Sequence, residues 1–230
     1  MKRKIFTVSL ILALVFAFIK APIASMANIS YGNSHKDNVR VFVGGSRSPL
    51  LSLKYKAERH GLLQELSKDS LNAKKKFTAT IAFKDFQSID AVQTLLEKYD
   101  VSAVGACYWP EGFQGRAVAT FDETVKLKET LTTETQKAYA GFETDKLTED
   151  EIIENYGTDF PIVWNKLTSG DFKLFAVDIY ASPDILVEIT KETFVDLIDV
   201  HYHTAAEETA AKEKRSINYI VLVNKPDGTL

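Results

Sequence analysis

A chain of 230 residues, 45% hydrophobic and 26% charged, is long enough to bury a core and too apolar to be disordered, so one or at most two domains are expected. Four of its 28 basic residues, Lys2, Arg3, Lys4 and Lys20, fall in the first twenty positions; the remaining 24 face 31 acidic residues, a formal charge of about −7, which argues against nucleic acid as a partner. The single cysteine, Cys107, excludes an internal disulfide and leaves stability to the core.

The first thirty residues read MKRKIFTVSLILALVFAFIKAPIASMANIS. Three cations, an apolar run from Ile5 to Ile19 and then small residues are the layout of a secretory signal peptide. The run is shorter than the roughly 20 apolar residues that cross a bilayer comfortably, and Ser25 and Ala27 supply the small side chains that a cut after Ala27 needs. The expectation is a signal peptide over 1–27 and a mature chain that is secreted or held in the bacterial cell envelope. Membrane contact is expected only through the N-terminal segment, if it stays uncleaved.

Residues 28–38 read as a flexible polar lead-in. VRVFV (39–43) suits a strand, GGSRSP breaks it, and Ser48 before Pro49 starts a helix carrying Tyr55, Leu62, Leu63 and Leu66, with Gly61 as a possible break. KFTATIAF puts Phe77, Ala79, Ile81 and Phe83 on one face at period two, a half-buried strand. SIDAVQTLLEKYD places Ile89, Val92, Leu95, Leu96 and Tyr99 at helical spacing behind Ser88 as cap. VSAVGACYW returns as a strand, PEGFQG turns, and RAVATF forms a hairpin partner. From 122 to 171 the chain is polar and helical, with the capping-box spacing Thr148 to Glu151 and Gly157 placed to end that helix. FKLFAVDIY, SPDILVEITKE and VDLIDVHYH repeat strand, helix and strand, Ser182 and Pro183 opening the helix. INYIVLV (217–223) supplies one more strand.

Two strand–helix–strand units, 77–108 and 172–203, imply an α+β domain over 39–230. The expected architecture is a ferredoxin-like split βαβ sheet with a helical insertion at 122–171 and an N-terminal strand–helix extension. Over about thirty residues the second unit resembles the end of subtilisin-type protease propeptides. That resemblance implies a ferredoxin-like sheet used to inhibit a protease.

Three clusters are candidate sites. In VDLIDVHYH, Asp199, His201 and His203 share one face of a strand, where they either ligate a metal or form a polar outer face opposite Ile198, Val200 and Tyr202. In VFVGGSRSPL, Ser46 and Arg47 between a strand and a helix start either cradle an anion or make a plain turn. In CYWPEGFQG, Tyr108, Trp109 and Phe113 around a turn either offer a partner-binding surface or pack locally. Cys107 within that strand reads as a small core residue.

Four histidines and one cysteine give few catalytic partners, and no nucleophilic, paired-carboxylate or metalloprotease motif is present. The composition favours a non-enzymatic protein-binding or regulatory module of the envelope. It would need no cofactor and would have another envelope or secreted protein as partner. The alternatives are a propeptide-like protease inhibitor and a metal-binding protein or metal-dependent enzyme using the HxH strand.

Overall fold

The computed structural model describes residues 30–34, 39–44, 49–144, 148, 151, 158–202 and 217–226. The expected leader at 1–27, the expected helix end at Gly157, and the candidate residues Ser46, Arg47 and His203 lie outside the described residues. The elements in chain order are β1 (Ser30–Ser34), β2 (Val39–Gly44), α1 (Pro49–Lys68), β3 (Phe77–Gln87), α2 (Ile89–Tyr99), β4 (Ser102–Trp109), β5 (Ala117–Thr124), α3 (Leu127–Thr144), α4 (Phe160–Thr168), β6 (Lys173–Ala181), α5 (Pro183–Ile189), β7 (Val195–Val200) and β8 (Ile217–Leu222). Among the described residues, the five helices named and a five-stranded antiparallel sheet make the fold α+β.

The main sheet runs β5-β4-β6-β3-β7. Each neighbouring pair is antiparallel, so β3 and β4, joined through α2, are parallel with β6 between them. Strands β6 and β7, joined through α5, flank β3 in the same way. The two strand–helix–strand segments therefore interleave in one sheet.

Local chemistry explains the elements. The Ser88 hydroxyl accepts the Ala91 amide at 3.1 Å and opens α2. Asp100, at φ 50°, closes it with its amide on Glu97 and Leu96 carbonyls. Val92, Leu95 and Leu96 of α2 and Leu186 and Ile189 of α5 pack with Ala79, Ile81 and Phe83 in one buried cluster, as the period-two and helical spacings require. Ser182 takes the extended cap position before Pro183 without a side-chain bond to the helix. Thr148 and Glu151 make the reciprocal bonds of a capping box, the Glu151 carboxylate accepting the Thr148 amide at 2.7 Å and the Thr148 hydroxyl accepting the Glu151 amide at 3.3 Å.

Several details differ from the sequence reading. Ser30–Ser34, read as lead-in, pairs antiparallel with β2, which in turn pairs parallel with β8; that strand depends on a long-range edge that a local window does not contain. Strand β5 extends to Thr124, and the helical segment begins at Leu127. Leu127, Leu131, Val163 and Leu167 of α3 and α4 are buried in the same cluster as α2 and α5, so the intervening segment completes the core. Helix α1 runs unbroken through Gly61, because Leu63 and Leu66 just beyond it are buried in that cluster.

The opposite face of the sheet is also covered. Ala82, Cys107, Phe175, Ala176 and Leu197 form a second cluster there with Val223, against which Tyr55 of α1, Phe86 and Val118 pack. Strand β6 is consequently buried at seven of its nine positions.

A Cβ added at Gly61 meets nothing within 4 Å, and glycine costs a helix interior about 1 kcal/mol relative to alanine. Gly61→Ala is expected to raise stability by about 0.5–1 kcal/mol, read as a higher denaturant midpoint at unchanged m-value.

Candidate functional site

The second face carries a row set abreast on four adjacent strands, a glycine followed by polar residues on three of them. Gly105 of β4 pairs with Asp178 of β6, Asp178 with Thr80 of β3, and Thr80 with Asp199 of β7. Directly paired residues of antiparallel strands project on one side of the sheet. Their burial is nearly complete: Thr80 is 1% exposed, Asp178 5%, Asp199 0% and His201 8%.

His201 follows β7, and its amide donates to the Thr78 carbonyl at 2.9 Å. Its ring Nε2 lies 2.8 Å from the Thr80 hydroxyl, which donates to Asp178 Oδ1 at 2.5 Å. A hydroxyl carries one proton, so with that proton directed at Asp178 the Nε2–H of His201 donates to Thr80. The chain Asp178–Thr80–His201 is thus a hydrogen-bonded line crossing three strands. Gly105 makes room for it: a Cβ there would stand 2.9 Å from Asp178 Oδ2 and 3.1 Å from the Ala119 carbonyl oxygen.

Asp199 is held from the other side by α1. The Tyr55 hydroxyl donates to its Oδ2, and Arg59 Nη1 lies 3.9 Å from its Oδ1. The Arg59 guanidinium lies 5.2 Å from the Tyr55 ring centroid, a pairing that the i, i+4 spacing brings onto one helix face. One residue on from Tyr55, Lys56 reaches Asp196 of β7 at 2.6 Å. Three residues of α1 therefore carry three polar contacts to a single edge strand.

Burial pushes the Asp178 carboxyl up to about 6, the Asp199 charge adding to the rise and the Thr80 hydrogen bond opposing it. An acid in this state exchanges its proton near neutral pH. Burial also pushes the Cys107 thiol far up, which with its 1% exposure makes it a core side chain and no nucleophile.

The sequence candidates fare differently. Asp199 and His201 do come together, but the reading of them as a polar outer face is corrected, because α1 docks over that face and Thr80 bonds the imidazole. Among the described residues no group of three or more His, Cys, Asp or Glu side chains is arranged to hold a metal ion. Tyr108 as a contact residue is corrected too: it is buried, its hydroxyl accepts from Thr135 at 3.1 Å, and its ring lies 4.8 Å from that of Phe172.

Trp109 and Phe113 are half-buried. The Trp109 indole N–H donates to the Gln114 carbonyl at 2.7 Å. Gly115, at φ 101°, lies so close to the indole that a Cβ would meet its Cζ2 at 3.0 Å. Lys166 stands 5.7 Å from the Phe113 ring centroid, Lys225 donates to the Phe113 carbonyl, and Glu111 pairs with Lys173 at 2.7 Å. The turn is pinned at five points.

Sequence reasoning missed Thr80, Asp178, Tyr55, Arg59 and Gly105. Its available signal was an aspartate inside the apolar run LFAVDIYA, a residue that strands bury only with a partner. Elsewhere, an open depression of about 290 Å³ lined by Thr124, Lys126, Glu129, Thr130, Thr133 and Glu134 includes no member of the row. Neither family models, nor curated proteins, nor solved structures match the chain.

Tyr55→Phe removes the donor to a buried carboxylate and is expected to cost about 1–3 kcal/mol by urea unfolding. Gly105→Ala, which drives a methyl into the Asp178 carboxylate and a backbone carbonyl, is expected to cost about 1–3 kcal/mol in the same measurement.

Proposed function

We propose that the protein is an exported, non-enzymatic binding module of the bacterial cell envelope. Its partner is another envelope or secreted protein, bound through the 109–115 turn. The observation that carries this reading is the turn itself. Trp109 and Phe113 keep part of their rings exposed on a backbone fixed by the Trp109–Gln114 bond, the Lys225–Phe113 bond and the Glu111–Lys173 pair. Large rings on a pre-ordered backbone lose little entropy on association, and such residues dominate interface energies. Cys107, Asp178, Asp199 and His201 are all nearly fully buried and are closed to a substrate in this conformation.

Export is supported by the charged, apolar and small-residue order of the first 27 residues. Among the described residues no helix is long and apolar enough to cross a membrane. N-terminal sequencing of secreted material is expected to begin at Asn28; recovery of the full-length chain in the membrane fraction would overturn this.

A second reading, a ferredoxin-like domain acting as a propeptide-like protease inhibitor, is favoured by one observation. The order β7-β3-β6-β4 with α2 and α5 as crossovers is what a split βαβ sheet requires. Titration of a subtilisin-type protease with the purified chain tests it, stoichiometric loss of peptidase activity being the supporting result.

For the first reading, Phe113→Ser is expected to weaken binding of a partner cross-linked by the unaltered protein by at least about tenfold, as loss of an interface anchor does. Trp109→Phe keeps an aromatic ring but loses the bond to Gln114, and is expected to weaken binding less than Phe113→Ser does. Equal binding by Phe113→Ser and the unaltered chain removes the turn from the interface.

A further inference from the structure

The buried row contains a group that a binding module does not use. Among the described residues the Asp178 carboxyl has one hydrogen-bond partner, the Thr80 hydroxyl, and no ion pair. On the far side of Thr80 stands a second carboxyl, Asp199, with two strand spacings, roughly 10 Å, between the backbones. The two acids are of like charge, share one dry face of the sheet and differ in what satisfies them: Asp199 has Tyr55 and Arg59 of α1, Asp178 has a neutral hydroxyl. We propose that Asp178, linked through Thr80 to His201 and by charge to Asp199, is a proton-sensitive latch that sets how tightly α1 docks on β7.

The connection runs through Asp199. With Asp178 protonated, Asp199 is the one carboxylate of the row, matched by the Tyr55 hydroxyl and the Arg59 guanidinium. With Asp178 ionised, two carboxylates repel across Thr80 in a low-dielectric space. Asp199 lies in the edge strand, so it is the one that reaches water when the sheet relaxes, and it does so only by leaving Tyr55 and Arg59. Repulsion within the row is thereby converted into loosening of α1. Among the described residues, the charged and titratable groups around Asp178 are Asp199 and, through Thr80, His201 from β7 and its end, and Cys107 from β4 with Arg116 beyond that thiol, while Tyr55 and Arg59 of α1 act through Asp199.

The direction follows from the proton's preference. Asp178 holds its proton up to about 6 against an ordinary value of 3.8, burial being the larger cause and Asp199 a further one. A raised acid stabilises the docked state fully below its ordinary value, and that stabilisation is lost as pH rises through the folded value. The latch is therefore tight at pH 5 and looser at pH 7.5, opposite in sign to a switch released by acid.

Amide hydrogen exchange of the full mature chain, corrected for the intrinsic pH dependence of exchange, tests this at pH 5 and pH 7.5. Protection of the α1 amides over 55–66 is expected to fall between the two, by at most about tenfold, the ratio reached when undocking relieves the whole shift from 3.8 to about 6. Protection of α2, which packs on the other face, is expected to hold. In Asp178→Asn, which keeps the acceptor for Thr80 and has no proton to lose, the α1 step is expected to vanish. An unaltered chain with equal α1 protection at both pH values overturns the proposal, as does an equal fall in α2, which marks a global effect. A step that survives in Asp178→Asn also overturns it. The measurement on the unaltered chain decides by itself if the variant does not fold.

Discussion

Strand β6 is hydrogen-bonded antiparallel to β3 on one side and β4 on the other, and the rest of the molecule follows from that insertion. Its arrival separates β3 from β4 and obliges α2 to cross from one to the other over a face, just as α5 crosses from β6 to β7. Both crossovers take the same face, where right-handed connections place them. The core cluster on that face is thereby closed by two helices whose apolar positions were spaced for it. Two long-range pairings must form before any of this burial is complete, which puts the entropic cost of closing the 110–172 connection ahead of its reward.

Helices on one face leave the other to be covered by different means. Tyr55 and Arg59 of α1, Val223 after β8, and Arg116 with its guanidinium 6.0 Å from the Phe175 ring centroid all lie against it. Covering this face traps whatever the strands project there. Ala82, Cys107, Phe175, Ala176 and Leu197 are apolar and pack. Thr80, Asp178 and His201 are polar and bond to one another, and Asp199 is satisfied by α1, since a buried polar group without a partner costs more than the bond it forms returns. The row is the result. Buried ion pairs are often replaceable by apolar groups of similar volume without loss of stability; here the Asp199 carboxylate is the group that Tyr55 and Arg59 of α1 contact.

The 109–115 turn is placed by the same sheet. It leaves the end of β4, returns as β5, and is braced by Lys173 at the start of β6 and Lys166 at the end of α4. A tip held by both the sheet and the intervening helices has little freedom left to lose, and its half-buried rings stay aligned with the core beneath them.

Local chemistry in the sequence determined the elements themselves: the alternation of Phe77, Ala79, Ile81 and Phe83, the spacing of Val92, Leu95 and Leu96 behind Ser88, the Thr148–Glu151 box and the turn glycines. Each of these is settled by neighbours within a few residues, and each is found where its pattern places it. The second face was decided only by tertiary structure. Period-two alternation in VDLIDV reads as one buried and one wet side, and it cannot register that α1, more than a hundred residues earlier, lies on the wet one. Thr80 and Asp178, 98 residues apart, have no local signal that joins them; their pairing exists only because antiparallel register sets β3 beside β6. Tyr108, Trp109 and Phe113 look equivalent as neighbouring aromatics, and strand alternation together with the contacts of Thr135 in α3 and Phe172 just before β6 sorted Tyr108 into the core and left the other two at its edge.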